Sequence, residues 1–119
     1  MGTPFDLSQT DKLLSTTRAV RKRLDLTRPV PRQLVLDCIQ VATQAPAGGN
    51  VQRWRWLLVD DPDLKAGLAD LYRRAYQPYI ESQKEAVQTV GRTDASTLGI
   101  IDSSTYLANH LQDLSLIHI

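Results

Sequence analysis

The chain has 119 residues, 14 Lys and Arg against 13 Asp and Glu, and a formal net charge of +1, the balance of one ordinary globular domain or part of one. Near-neutral charge argues against a dedicated nucleic-acid binder, and no apolar run approaches the roughly 20 residues that span a bilayer. The polar opening MGTPFDLSQTD has neither the basic stretch nor the apolar stretch of a secretory signal, and a lone cysteine, Cys38, fits a reducing compartment, so a cytoplasmic location is expected.

In chain order, Met1 and its neighbours read as a frayed start. Ser8 and Asp11 offer caps for a short helix through Leu13 and Leu14 to about Thr16. Alone, that run is too short to be stable and needs a partner surface. The densest charge follows, RAVRKR from Arg18 to Arg23, and then LDLTRPVP, where Pro29 and Pro31 impose extended backbone. With Pro31 in the first turn, Leu34, Val35, Cys38, Ile39, Val41 and Ala42 recur at helical spacing and predict a core helix with Cys38 as a small hydrophobe. It should stop at QAPAGGN, where Pro46 breaks it and Gly48 and Gly49 permit unusual backbone angles.

WRWLLV, Trp54 to Val59, reads as a strand, and the turn signal DDPD leads into a helix from about Asp63 with Leu64, Leu68, Leu71, Tyr72 and Ala75 on one face. Pro78 should interrupt or end that helix, with a second, mostly polar helix from Tyr79 to Val90. Gly91 to Thr97 has loop composition, and Leu98 to Leu111 reads as another helix. SLIHI at the end has the makings of a strand start. One central strand makes no sheet, so the partners of WRWLLV are expected outside this chain's residues or in another chain.

Two segments carry candidate chemistry. Arg18, Arg21, Lys22 and Arg23 place four cations within six residues, and the planar fork of arginine suits a phosphate, although such runs are commonly a solvated face. Ala45 to Asn50 puts small residues after a helix, so that a ligand can approach main-chain N–H groups, while the plainer reading is a glycine-closed connection. Neither a catalytic triad nor a carboxylate pair is evident. His110 beside Asn109 and Asp113 reads as a surface or interface histidine, and no metal site is expected. Tyr72, Tyr76 and Tyr79 read as packing or lid residues rather than substrate contacts.

In their order and separation, TTRAVRKRLDLTRPVP and ATQAPAGGNVQRWRWLLVDDP resemble the opening of the nitroreductase family of flavoenzymes, best between Leu13 and Asp61. The resemblance implies an α+β fold, here truncated, with helices packed on an incomplete sheet. Residues 1–114 would be the N-terminal part of a single domain and 115–119 a tail that need not be native. It implies a homodimer holding FMN, with NAD(P)H as hydride donor and a nitroaromatic, quinone or similar small molecule as acceptor, and no nucleic acid or membrane partner.

By position, Arg18, Ala19, Val20 and Arg21 would lie along the flavin phosphate and pyrimidine edge. Pro46, Ala47, Gly48 and Asn50 would contact the flavin of the partner subunit, with Gln52 and Trp54 supporting that loop. No side chain is expected to act as a catalytic acid, base or nucleophile. Thr17, Ala19 and Arg53 depart from the family pattern, the first two at positions that often supply phosphate contacts. As a fragment, the chain is expected to be inactive, weak in FMN retention and poorly soluble. Reductive dehalogenation is a further flavin chemistry compatible with the fold. The alternative from another class is a nonenzymatic helical interaction module that uses the basic segment Arg18 to Arg23.

Overall fold

The structure is a computed structural model, and it describes residues 5–91 and 94–119. It is α+β in composition, with helices α1 (Leu7–Thr16), α2 (Arg32–Ala42), α3 (Pro62–Val90) and α4 (Ala95–His110) and short strands β1 (Leu58–Val59) and β2 (Ile117–His118). The expected frayed start at Met1 and most of its neighbours lies outside the described residues.

Helix α1 begins two residues earlier than Ser8 would dictate, because Asp6 is the cap. Its Oδ1 accepts from the Ser8 and Gln9 backbone N–H groups at 3.0 and 3.2 Å and from the Ser8 hydroxyl at 2.7 Å. These bonds hold the Asp6 carboxyl below its ordinary value, the Ser8 hydroxyl contributing most. No residue of α1 is buried, and Leu13 and Leu14 lie in the open.

Helix α2 corrects a second expectation. Its boundaries agree closely with the sequence pattern, with Pro31 as the cap residue rather than the first helical residue. Yet none of its residues is buried, Leu34 is 54% and Val41 73% exposed, and Cys38 is exposed. The apolar stripe is real, but no layer covers it.

The packed centre is the pair α3 and α4 with the 3₁₀ turn, Leu111–Asp113, that follows α4. Asp61 caps α3 through the Leu64 N–H at 2.9 Å, with Pro62 in the first turn where its missing N–H costs nothing. Asp94 caps α4 through the Thr97 N–H at 2.9 Å, so Ala95 to Thr97 are helical rather than loop. Gly91 closes α3 with φ +67°, and Arg92 and Thr93 of the expected loop lie outside the described residues. Ala69 at 0%, Ala108 at 2% and Ile80 at 4% exposure form the core, and two of the three are small residues that let helices approach closely.

Pro78 does not end α3, which runs unbroken for 29 residues, about 43 Å. A mid-helix proline costs roughly 3 kcal/mol by losing one hydrogen bond and crowding the preceding turn. Anchors on both sides of it offset that cost. Burial of Ile80 contributes about 2 kcal/mol, and the Tyr76 hydroxyl bonds those of Ser104 and Thr105 on α4 at 2.9 and 3.0 Å. The packed stripe is also turned from the expected one, for Leu64 and Leu71 are exposed while Ala69 and Ile80 are inside.

The strand WRWLLV finds its partner within the chain. β1 pairs antiparallel with β2, Leu58 opposite His118 and Val59 opposite Ile117, and Leu57 exchanges two hydrogen bonds with Ile119 at 2.8 and 2.9 Å. Only the end of WRWLLV is strand, because its opening residues face no second backbone. The turn after α4 is tied down by Arg73 to Gln112 at 2.8 Å and by Lys65 Nζ to the Leu114 carbonyl at 2.7 Å. Further along, the Val30 N–H donates to the Ser115 hydroxyl at 2.8 Å.

Candidate functional site

The basic segment leaves α1 as irregular backbone, and its cations part company. Arg18 turns back on α1, where Nη1 donates to the Ser15 and Thr17 carbonyls at 2.9 and 2.8 Å. A guanidinium at a helix C-terminus satisfies orphan carbonyls and meets the negative end of the helix dipole. Lys22 reaches across to α4 and pairs with Asp102, both side chains more than half exposed, so the pair is worth no more than about 1 kcal/mol. Arg21, half-buried, turns into the space between α3 and α4 and makes no hydrogen bond or ion pair among the described residues. Ala19 and Val20 stand exposed between them.

The small-residue loop holds a second constellation. After Pro46 the chain makes a 3₁₀ turn at Gly48–Asn50, with φ +61° at Gly49 and +54° at Asn50. Glycine adopts that region freely and asparagine tolerates it, whereas Gly48 has an ordinary φ and needs no special freedom. A Cβ at Gly48 would meet nothing within 4 Å, so the backbone there is open to an incoming group. Beyond the turn, Trp54 Nε1 donates to Gln52 Oε1 at 2.6 Å and Gln52 Nε2 donates to Asn50 Oδ1 at 2.9 Å. That relay engages Asn50 Oδ1 and leaves its N–H donors without a partner among the described residues, and it makes Gln52 and Trp54 struts of the loop.

Within one chain the two constellations do not meet. Arg21 opens onto an α3/α4 groove of about 530 Å³, and none of Pro46, Ala47, Gly48 or Asn50 borders it. One wall of the groove is aromatic, with the Tyr72 and Tyr76 rings stacked at 6.0 Å and 10° and the Tyr79 ring tilted beside Tyr76 at 6.3 Å. Ile80 and Ile101 floor it, and Gln83, Thr97 and Ser104 supply polar groups.

Sequence reasoning overlooked the part of α4 in this groove. The signal was the hydroxyl pair Ser104 and Thr105 opposite Tyr76, legible only once α3 and α4 are laid side by side. The apolar face of α2 borders a second hollow of about 300 Å³ with Val30, Trp56 and His118. His110 stacks on Tyr106 at 4.2 Å and bonds Asp113 at 2.9 Å through Nδ1. Among the described residues no cluster could hold a metal ion, and no helix is long and apolar enough to cross a membrane.

A sequence model described as "Nitroreductase family" matches residues 14–113, which takes in both constellations and the groove. The chain belongs to the nitroreductase family. Among curated proteins it is similar to iodotyrosine deiodinase 1 of Rattus norvegicus, 32% identical over half of this chain and 20% of that protein. It is also similar to the iodotyrosine deiodinase of Nematostella vectensis, 29% identical over 56% of this chain and 24% of that one. The iodotyrosine deiodinase of Thermotoga neapolitana is 30% identical over 58% of this chain and 37% of its own length. The matches thus span only about a fifth to somewhat over a third of the relatives' lengths. No solved structure matches the chain.

Proposed function

We propose that the chain supplies one wall of a flavin site in an FMN-dependent oxidoreductase, which takes hydride from NAD(P)H and passes electrons to a small aromatic or quinone acceptor. The family match over 100 of 119 residues is the observation that carries this reading. The residues present suit FMN in kind. Arg18 and Arg21 offer charge to a phosphate and to an electron-rich ring edge, while the open backbone at Gly48 and the unengaged N–H donors of the Asn50 amide offer hydrogen bonds to a polar ring edge. Bound FMN would supply the two-electron chemistry between donor and acceptor.

The chain's own contribution is orientation and electrostatics. Arg21, without an anionic partner among the described residues, holds a positive charge where negative charge would develop. Arg18 would have to release at least one helix carbonyl to reach a phosphate, a cost of about 1 kcal/mol against a charge-assisted bond worth more. Pro46 to Asn50 borders no part of the Arg21 groove, which fits a site completed by the loop of a second copy, with the two constellations meeting across a homodimer.

A second flavin reading, reductive dehalogenation of an aromatic halide, is favoured by the names of the three relatives. Gel filtration after adding FMN tests the flavin assignment. Yellow absorbance co-eluting with a dimer supports it, and FMN fluorescence left unquenched at equilibrium at every protein concentration, where even weak binding registers, refutes it. Steady-state assays with a nitroaromatic and with an iodophenol then separate the two acceptor classes.

A further inference from the structure

We propose that Asp102 is a positioning residue: through its ion pair with Lys22 it holds the Arg21 guanidinium over the α3/α4 groove. The role rests on the flavin reading, in which Arg21 faces developing negative charge, and adds to it the groups that aim Arg21. Between α1 and α2 the chain runs from Thr17 to Pro31 with neither helix nor strand. Among the described residues, two polar ties join this stretch to the rest of the molecule beyond those two helices. One is Lys22 to Asp102, 80 residues apart in sequence, and the other is the Val30 N–H to the Ser115 hydroxyl.

Arg21 has no bond of its own among the described residues, so its direction is delegated to its neighbour. Lys22 is that neighbour. The tie at Val30 lies beyond a separate local turn, in which the Asp25 carboxylate accepts from the Thr27 N–H and hydroxyl at 3.1 and 2.7 Å. Asp102 follows Ile101 of the groove floor, on a helix fixed by the buried Ala108 and by the bonds of Ser104 and Thr105 to Tyr76. The anchor is therefore rigid, and the cation it steers is adjacent to its partner. A guanidinium on a long stem loses rotamer freedom when a ligand fixes it, and one already aimed loses less.

The sign of the effect separates aiming from charge. Removing the Asp102 carboxylate makes the surroundings of the groove more positive, so by charge alone it would favour the electron-rich reduced flavin. Loss of aiming does the opposite, because Arg21 then spends less time where that charge develops. Both side chains of the pair are more than half exposed, which limits the effect to about fivefold and leaves the fold intact.

Two measurements on the full chain test this role. Without FMN, Arg21 should react with phenylglyoxal up to about fivefold faster in Asp102→Asn than in the native chain, with Arg23 as the internal reference in peptide mass mapping. With FMN at saturation, the midpoint potential of the bound flavin should fall in Asp102→Asn. The reversed pair, Lys22→Asp with Asp102→Lys, should restore both readings, and in an Arg21→Gln background Asp102→Asn should no longer lower the potential. Circular dichroism verifies the fold of each variant. Unchanged Arg21 reactivity, a potential that stays or rises in Asp102→Asn, or a fall that persists without Arg21 overturns the role and leaves the flavin reading standing. FMN binding by none of the versions sinks both.

Discussion

Single residues at chain reversals carry much of the local order. Asp94 caps α4 through the Thr97 N–H and hydroxyl, and these bonds hold its carboxyl below the ordinary value of 3.8, the backbone bond contributing most. Asp6 does the same for α1. A carboxyl lowered in the folded state adds stability that is fully present above its unfolded value and is lost as the pH falls through the folded one. The first turns of α1 and α4 should therefore loosen below about pH 4. The protection factors of the Ser8, Gln9 and Thr97 amides, exchange relative to the unfolded rate at the same pH, should fall there, and Asp94→Asn should give part of that effect at Thr97 at neutral pH. In the small-residue loop, Gly49→Ala forces a Cβ into the left-handed region and should cost about 1–2 kcal/mol. Gly48→Ala should change stability by less than about 0.5 kcal/mol in the same urea titration.

At the scale of elements, most helices could be read from periodicity and caps, and the differences have definite causes. Pro78 was expected to split α3, because a local rule takes no account of Ile80 and Tyr76 gripping α4 on either side of it. Pro78→Ala should therefore stabilise the chain, by up to about 3 kcal/mol in denaturant unfolding, since it restores a bond to the Arg74 carbonyl without disturbing either anchor.

The buried stripe of α3 differs from the expected one because side-chain size does not decide burial there: Leu64 and Leu71 are exposed, whereas Ala69, like Ala108 of α4, is enclosed. Ala69→Leu should cost about 1–3 kcal/mol by overpacking, and the 59% exposed Leu71 should tolerate Ala with little change. The candidate site divides similarly. The basic segment and the glycine loop were legible as motifs, but the direction of each cation was not, because it depends on Asp102 and on the end of α1. The α3/α4 groove needed two helices brought together from residues far apart in sequence.

The whole molecule is spread out for its size. A globular chain of this length has a radius of gyration of about 13.5 Å, and here it is 18.3 Å. Its accessible surface is 9814 Å², where a folded 13.3 kDa monomer exposes about 6,500 Å². The excess, roughly 3,300 Å², is the scale of a large permanent interface. It includes the exposed apolar faces of α1 and α2 and both tryptophans. The isolated chain should bind a hydrophobic dye and self-associate with rising concentration in sedimentation, and a compact, dye-silent monomer would contradict that. Covering α2 with a second copy or with further polypeptide should make Cys38 unreactive to a thiol reagent.

The two-residue sheet has a kinetic consequence. Joining Leu58 to His118 closes a loop of roughly 60 residues, whereas α3 and α4 are neighbours along the chain. Loop closure of that span must follow the contacts that make it rewarding, so the helical hairpin is the natural nucleus and the strand pair a late event. During synthesis Lys22, Val30 and β1 leave the ribosome before Asp102, Ser115 and β2 exist. As it emerges, roughly the first half of the chain presents leucines, valines and tryptophans that stay exposed in the folded structure, a client surface for chaperones.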